Sequence, residues 1–320
     1  MDQISILTSF ATDTLQGLSY NPKYLLPKYF YDDRGSRIFQ DIMKMPEYYL
    51  TRCEMEILSN YKAQITEYFT APSGGFELIE LGSGDGLKTE ILLDYLTEQQ
   101  VQFSYIPIDI STRANEELVQ KLKETIPSLR VKAKSGDYFK VLQKMNGQGN
   151  ASRVILFLGA NIGNFSKDEL KTFFHRLSGI TRKYDKVLIG FDLKKSPEII
   201  MKAYHDPHGH TKNFNLNHLL RINRELDADF DTSAFLHHPS YNPLNGEMKS
   251  FLISTRDQSV HLKELETIIH FKKWEAVYME MSRKFDTETI HMLAEENGFR
   301  IIENFTDSAN YFVDSLWIRK

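Results

Sequence analysis

Gly82, Gly84 and Gly86 alternate in ELGSGDG, directly after the apolar run FELIEL. Glycines this dense behind a strand let the backbone close in on a ligand, and their spacing decides which one. A dinucleotide fingerprint needs its third glycine where this chain has Leu87, and a phosphate-cradling Walker loop needs a glycine directly before Lys88-Thr89. Neither fits, and Glu80, just ahead of the loop, is poorly suited to a pyrophosphate. It suits a ligand with a cationic end. Two further strand ends carry acids: Asp109 closes YIPIDI, and Asp137 follows Gly136 in SGDY. Asp109 is placed to accept both hydroxyls of a ribose. Asp137 is placed to accept from an adenine amino group, with Gly136 allowing close approach. A sulfonium, a ribose diol and an adenine together describe S-adenosylmethionine as the cofactor, and methyl transfer as the chemistry.

Transfer of a methyl group from a sulfonium is an in-line displacement, so the protein must align an uncharged nucleophile and exclude water. GANIGNF follows the fourth strand, and in it Asn164 is suited to donate to a carboxylate and accept from an amine. Gly159 and Gly163 would let a ligand approach the backbone there. Asn164 is also a candidate helix cap, a role for which Ser166 is better placed. His205, His208 and His210 in HDPHGH have neither helical i, i+4 spacing nor a cysteine partner, so no metal site is expected. A mobile loop serving as a lid is the expectation for that stretch. Cys53, the one cysteine, lies in TRCEMEIL with helical apolar spacing and reads as a buried structural thiol.

These residues need a scaffold that brings strand ends to one edge. From residue 76 the chain alternates short apolar strands (FELIEL, FSYIPIDI, LRVKAKS, RVILFLG, KVLIGFDL) with amphipathic helices. That alternation predicts a parallel, doubly wound α/β sheet, closed at one edge by a hairpin of FRIIENF and YFVDSLWIR. Residues 1–60 read as mostly helical, and 205–285 as a histidine-rich loop, a helix and alternating strands. The predicted architecture is therefore a Rossmann-like, class I methyltransferase domain over 61–204 and 286–320. A second, substrate-binding lobe is predicted from 1–60 and 205–285. With 41% hydrophobic and 26% charged residues and a net charge of −4, the chain has no general attraction to nucleic acid or anionic membranes. No apolar run is long enough to span a bilayer, and the start of the chain lacks the pattern of a signal peptide. A cytoplasmic monomer acting on a small molecule is the simplest expectation.

LPKYFYDDRGSRIFQDIMKMPEYYLTR, ELGSGDGLKT, FLGANIGN, FNLNHLLRINRELDADFD and EMSRKF together resemble the L-histidine Nα-methyltransferases of ergothioneine biosynthesis. The resemblance runs from about residue 20 to the end and includes the two regions outside the sheet. Fungal N-methyltransferases of a prenylated tryptophan look like relatives. The resemblance implies that Tyr48, Asn164 and Tyr204 reach the substrate carboxylate, that Glu280 and Ser282 bind the imidazole nitrogens, and that Tyr31 lies near the amine and helps with proton removal. On the cofactor side it implies Gly82, Lys88, Asp109, Asp137 and Tyr138, with Lys88 pairing with the methionyl carboxylate; Gly84 and Gly136 join them from the spacing above.

Taken alone, Tyr48 would read as packing and Glu280 as a solvated strand position. The chemistry agrees with the resemblance nonetheless. A neutral imidazole needs one donor and one acceptor, and a carboxylate with a hydroxyl two residues along a strand faces one side. An indole would leave that carboxylate poorly satisfied, at about 1–3 kcal/mol for a buried group. Two stretches depart from the family pattern: Asp85, Gly86 and Leu87 in the glycine loop, and Ala160 with Asn161 after the fourth strand. The expected activity is stepwise trimethylation of the histidine α-amine. The alternatives are N-methylation of another free amino acid or imidazole derivative, and a non-catalytic S-adenosylmethionine-binding regulator.

Overall fold

The computed structural model describes residues 3–69, 75–145 and 152–320. The first two residues, assigned above to the lobe, and 70–74 and 146–151, assigned to the cofactor domain, lie outside the described residues. The chain divides into two compact units: residues up to Tyr49 with Lys195–Arg283, and Leu50–Lys194 with Lys284–Lys320. No described helix is long and apolar enough to cross a membrane.

Helices α1 (Gln3–Ser19) and α2 (Asp33–Lys44) open the first unit, and α3 (Tyr49–Phe69) begins at its border. The second unit continues with β1 (Phe76–Leu81), α4 (Glu90–Glu98), β2 (Phe103–Asp109), α5 (Thr112–Thr125), β3 (Lys134–Ser135) and α6 (Tyr138–Met145). Then come β4 (Ser152–Phe157), α7 (Lys167–Ile180) and β5 (Lys186–Asp192). Among the described residues its sheet has seven strands in the order β11-β12-β5-β4-β1-β2-β3, where β11 is Phe299–Thr306 and β12 is Phe312–Arg319. The first five strands pair in parallel, while β12 runs antiparallel to β5, and β11 to β12. This is the expected doubly wound α/β sheet with its edge hairpin.

β1 lies at the centre, and the chain steps outward to β2 and β3 before crossing back to β4. The loops after β1 and β4 therefore leave neighbouring strands in opposite directions, the arrangement that opens a ligand crevice. The strands form where the sequence is apolar on both faces: β1 and β4 are buried almost throughout, and Phe157 stacks on Phe173 with ring centroids 4.8 Å apart. LRVKAKS pairs only through Lys134 and Ser135, with Val131 making an isolated bridge to Tyr105. Its lysines mark it as a short solvated edge, which gives other chains little to pair with. Ser166 and Glu169 close a capping box on α7, leaving Asn164 free of that duty, and Asp286 caps α10 (Thr287–Glu296).

The first unit adds α8 (Pro197–Tyr204), α9 (His210–Glu225) and a three-stranded antiparallel sheet ordered β10-β7-β6, from Ala276–Arg283, Glu247–Ser254 and Phe235–Asn242. β8 (Gln258–Leu262) and β9 (Thr267–Phe271) form a separate ribbon. Alternate residues of β7 are buried, as a one-faced sheet requires, and Leu252 joins Val277 and Phe214 in the core of this unit. A register shift between Tyr278 and Glu280 interrupts β10 just before its acid.

Candidate active site

In the sheet unit, Gly82, Gly84 and Gly86 adopt φ of +73°, +54° and +68°, the left-handed region that L side chains avoid. Gly82 is anchored by its N–H to the Ile108 carbonyl (2.8 Å), and a Cβ there would stand 3.1 Å from the Tyr138 hydroxyl. A Cβ at Gly84 would meet nothing within 4 Å, so this glycine faces the open side of the loop. Its N–H points to Asp109 Oδ2 at 3.5 Å, while Asp109 Oδ1 takes the Ser111 N–H at 2.9 Å. The Gly136 N–H meets the Asp109 carbonyl (2.9 Å), bringing the ends of β2 and β3 together. Asp137 is exposed and accepts from the Lys140 N–H at 2.9 Å, so one of its oxygens starts α6. Burial, then the charges of Asp109 and Asp137, push the Tyr138 phenol up to about 12. It stays a neutral donor beside Gly82. Gly82, Gly84, Asp109, Gly136, Asp137 and Tyr138 thus converge on one sheet edge, and the open face of Gly84 beside a strand-end carboxylate fits a ribosyl group approached by backbone.

Two charged groups of the loop are occupied differently from the sequence expectation. Glu80 does not turn toward a ligand. It is 4% exposed and accepts from Thr89 Oγ1 (2.5 Å) and from the Tyr105 hydroxyl, bracing the loop from inside. Burial pushes its carboxyl up from 4.5 to about 7. Lys88 is paired with the fully buried Glu54, Nζ to Oε2 at 2.5 Å, so its ammonium has two further hydrogens left for a ligand carboxylate. Asn164 is exposed at the end of a short 3-10 turn after β4, and Ala160 ahead of that turn takes a left-handed φ of +55°.

In the other unit, Glu280 and Ser282 stand two apart on β10 and so share a face, opposite Ser250 and Met248 of β7. The Tyr31 hydroxyl is raised well above its ordinary value by loss of solvent, then by the Glu280 charge and Tyr204, although 51% of the residue is exposed. Glu280 and Tyr204 lie close enough to act on this hydroxyl, which stays protonated. Its ring meets Phe39 and Phe214 edge-on at 5.5 Å each, and Phe39 in turn meets Tyr48 at 6.3 Å. Tyr204 is buried at the end of α8. Tyr31, Tyr48, Tyr204, Glu280 and Ser282 therefore belong to this unit, while Asn164 belongs to the sheet unit.

Asp32 escaped the sequence reading. It caps α2 through the Gly35 N–H (2.7 Å) and takes Asn217 Nδ2 (2.8 Å) and Arg224 (2.7 Å), tying α2 to α9 and fixing the backbone next to Tyr31. The acid pair in FYDDRG was the available signal. Asp206 takes the N–H groups of His210 (2.9 Å) and Thr211 (2.8 Å), so HDPHGH is the capped start of α9, which argues against a lid. Among the described residues no group of three or more metal-ligating side chains is assembled. Cys53 is a buried thiol outside any disulfide.

A family model described as a histidine-specific, S-adenosylmethionine-dependent methyltransferase matches residues 10–319. A histidine N-alpha-methyltransferase of Mycobacterium tuberculosis is 34% identical over 304 residues, covering 95% of this chain and 93% of that protein. Another of that name from Mycolicibacterium smegmatis is 34% identical over 307 residues, 96% and 94% of the two chains. Ergothioneine biosynthesis protein 1 of Schizosaccharomyces pombe is 26% identical over 281 residues, 86% of this chain and 36% of that longer protein.

Proposed function

The chain belongs to the histidine-specific, S-adenosylmethionine-dependent methyltransferase family, and from that premise we propose that it trimethylates the α-amino group of free L-histidine to the betaine hercynine. Glu280 and Ser282 carry the proposal on the acceptor side. A carboxylate and a hydroxyl on one strand face satisfy both nitrogens of an imidazole, which no indole or aliphatic side chain would do. Tyr48, Tyr204 and Asn164 are assigned to the substrate carboxylate, and Tyr31 to the amine.

S-adenosylmethionine supplies an electrophilic methyl group on its sulfonium. The residues of this chain bind and orient. Asp109 accepts the ribose hydroxyls, Asp137 the adenine amino group, and Lys88 donates to the methionyl carboxylate. Gly82, Gly84 and Gly136 admit the backbone, and Tyr138 lines the floor. As the amine nitrogen forms its new bond to carbon, the carbon–sulfur bond breaks and the positive charge passes from sulfur to nitrogen. The α-ammonium group must lose a proton to free its lone pair before each attack, first as the primary and then as the monomethyl and dimethyl ammonium. Tyr31, held in its neutral form, orients that nitrogen and passes protons to water rather than acting as a phenolate. The third transfer leaves a quaternary nitrogen with no proton to lose, which ends the sequence. We further assign the chain as a monomer acting on a free metabolite in the cytoplasm.

Incubation with S-adenosylmethionine and histidine, followed by mass spectrometry, is expected to show species one, two and three methyl groups heavier, all substituted on the α-nitrogen. Substitution on a ring nitrogen, or donor binding without turnover, would sink the proposal. In a panel of free amino acids, Glu280→Ala is expected to raise the KM for histidine about tenfold or more, as loss of a charged hydrogen-bond partner implies, while changing tryptophan turnover little. Equal losses across the panel would point to another amino-acid substrate.

A further inference from the structure

Glu54 lies in the first turns of α3, fully buried, and draws in two loops of the sheet unit at once. Oε2 takes Lys88, at the end of the glycine loop, at 2.5 Å. The N–H of Gly159, at the head of the loop after β4, lies 2.7 Å from Oε1 and 3.0 Å from Oε2. Two side chains are missing where this carboxylate needs room. A Cβ on Gly190 in β5 would collide with Glu54 Oε1, and one on Gly159 would stand 2.9 Å from Lys88 Nζ. Gly190 has no left-handed φ, so the site uses its missing side chain rather than its freedom.

Gly190 is paired in register with Asp314 of β12. Asp314 is also fully buried, and neither of its oxygens meets a protein donor. Glu54 has Lys88 and the Gly159 N–H as donors, whereas Asp314 has no protein donor, so it is a proton of its own that joins Asp314 to Glu54. Burial and then the Glu54 charge push the Asp314 carboxyl far upward, so that proton resides on Asp314. One ammonium, one carboxylate and one neutral acid make the cluster neutral, as a site cut off from water requires.

We infer that Glu54 is a positioning residue for the methyl donor. By gathering Lys88 and the Gly159 N–H on one carboxylate it fixes the glycine loop and the β4 loop at a single spacing, and the Asp314 carboxyl holds Glu54 in place. The inference rests on the donor reading above. It gives Lys88 two tasks: one hydrogen goes to Glu54, and the others remain for the donor's carboxylate. It also accounts for glycine at 190, where the strand alone does not demand it, and adds a second reason for glycine at 159, whose φ of +81° already favours it.

The full chain, Glu54→Gln, Asp314→Asn and Gly190→Ala are to be compared by calorimetry with S-adenosylhomocysteine, by steady-state kinetics and by melting. Glu54→Gln turns an amide NH2 toward donors, and is expected to weaken S-adenosylhomocysteine and raise the donor KM about tenfold or more. The histidine KM should stay within roughly twofold, the scatter usual for sites with no shared partner. Asp314→Asn keeps a hydrogen for Glu54 and should lose no more than about threefold. Gly190→Ala changes no charge yet pushes the carboxylate aside, so it should reproduce the donor-specific loss even if Glu54→Gln fails to fold. Unchanged donor affinity in Glu54→Gln overturns the inference. So does a loss shared equally by donor and histidine, which a merely structural ion pair predicts. Absence of S-adenosylhomocysteine binding by the unaltered chain would instead remove the donor reading, and this inference with it.

Discussion

Glu80 shows how a single side chain beneath the site is set by its surroundings. Its carboxyl accepts from Thr89 and Tyr105, both fully buried, and sits close enough to Lys88 and Glu54 to feel their charges. Burial outweighs the two hydroxyls and Lys88, and the group is pushed from 4.5 up to about 7. The folded chain therefore holds this proton more tightly than the unfolded chain does. Its contribution to stability is complete below about pH 4.5 and is lost as the pH rises through about 7. With some 2.5 pH units between the two values, the loss is about 3 kcal/mol. Glu80→Gln cannot ionise, so its urea midpoint should fall by correspondingly less than that of the unaltered chain between pH 5 and pH 8. Parallel curves for the two proteins would show that Glu80 is already ionised in the folded state. Of the acids around the loop, the positions of Asp109, which closes β2, and Asp137, two residues past β3, were legible in the sequence because neither needs a distant partner to define it. Glu80 was misjudged because its partners lie 9 and 25 residues away, one of them on a neighbouring strand. A strand-end acid within an apolar run says only that a charge is present, not which way it turns.

At the level of elements, the glycine loop separates two uses of the same residue. Gly84 and Gly86 both have left-handed φ, but a Cβ on Gly86 would stand 2.5 Å from Leu118 Cδ1 of α5, whereas one on Gly84 would meet nothing. Gly86 serves helix packing, and Gly84 faces open space. Alanine at either position should cost about 1–2 kcal/mol in backbone strain, and Gly86→Ala somewhat more as Leu118 is displaced. Gly84→Ala should be the worse of the two for S-adenosylhomocysteine affinity, and Gly86→Ala the worse for melting temperature. The reverse ranking in both measurements would mean that the loop presents its other face to the donor. The departure at Gly86 thus becomes a packing feature between the loop and α5. Helices and parallel strands were readable here from period and caps, down to Ser166 displacing Asn164 as the cap of α7. What stayed hidden was the Glu54–Asp314 pair. TRCEMEIL looks like any amphipathic helix, and the register that sets Asp314 beside Gly190 exists only once β12 has paired with β5. A sequence signal existed in hindsight: an acid inside the apolar run FVDSLW, and a lone lysine behind the glycines in need of a counter-charge.

For the molecule as a whole, the chain visits each compact unit twice, leaving the first at Tyr49, returning at Lys195 and re-entering the sheet unit at Lys284. The re-entry is pinned within the sheet unit, where Lys284 and Asp192 are both fully buried and paired at 2.8 Å, and the Phe285 N–H meets the Asp192 carbonyl at 2.8 Å. EMSRKF is therefore divided within six residues: its first part, with Glu280 and Ser282 proposed for the acceptor, belongs to the first unit, and its last part to the sheet unit. The residues proposed for the donor and most of those proposed for the acceptor lie in different units, so the two ligands should leave different footprints. Bound ligand stabilises the state that binds it, by about 2.7 kcal/mol at a hundredfold excess over Kd, and local opening slows where the contacts are made. In hydrogen exchange, S-adenosylhomocysteine alone should protect residues 82–88 and 159–163. Histidine alone should protect 30–36 and 278–283, and Glu280→Ala should abolish that second footprint while sparing the first. Protection by histidine confined to the glycine loop would move the acceptor site away from β10 and Tyr31. Loss of the S-adenosylhomocysteine footprint in Glu280→Ala would mean that the two sets of residues do not hold their ligands independently.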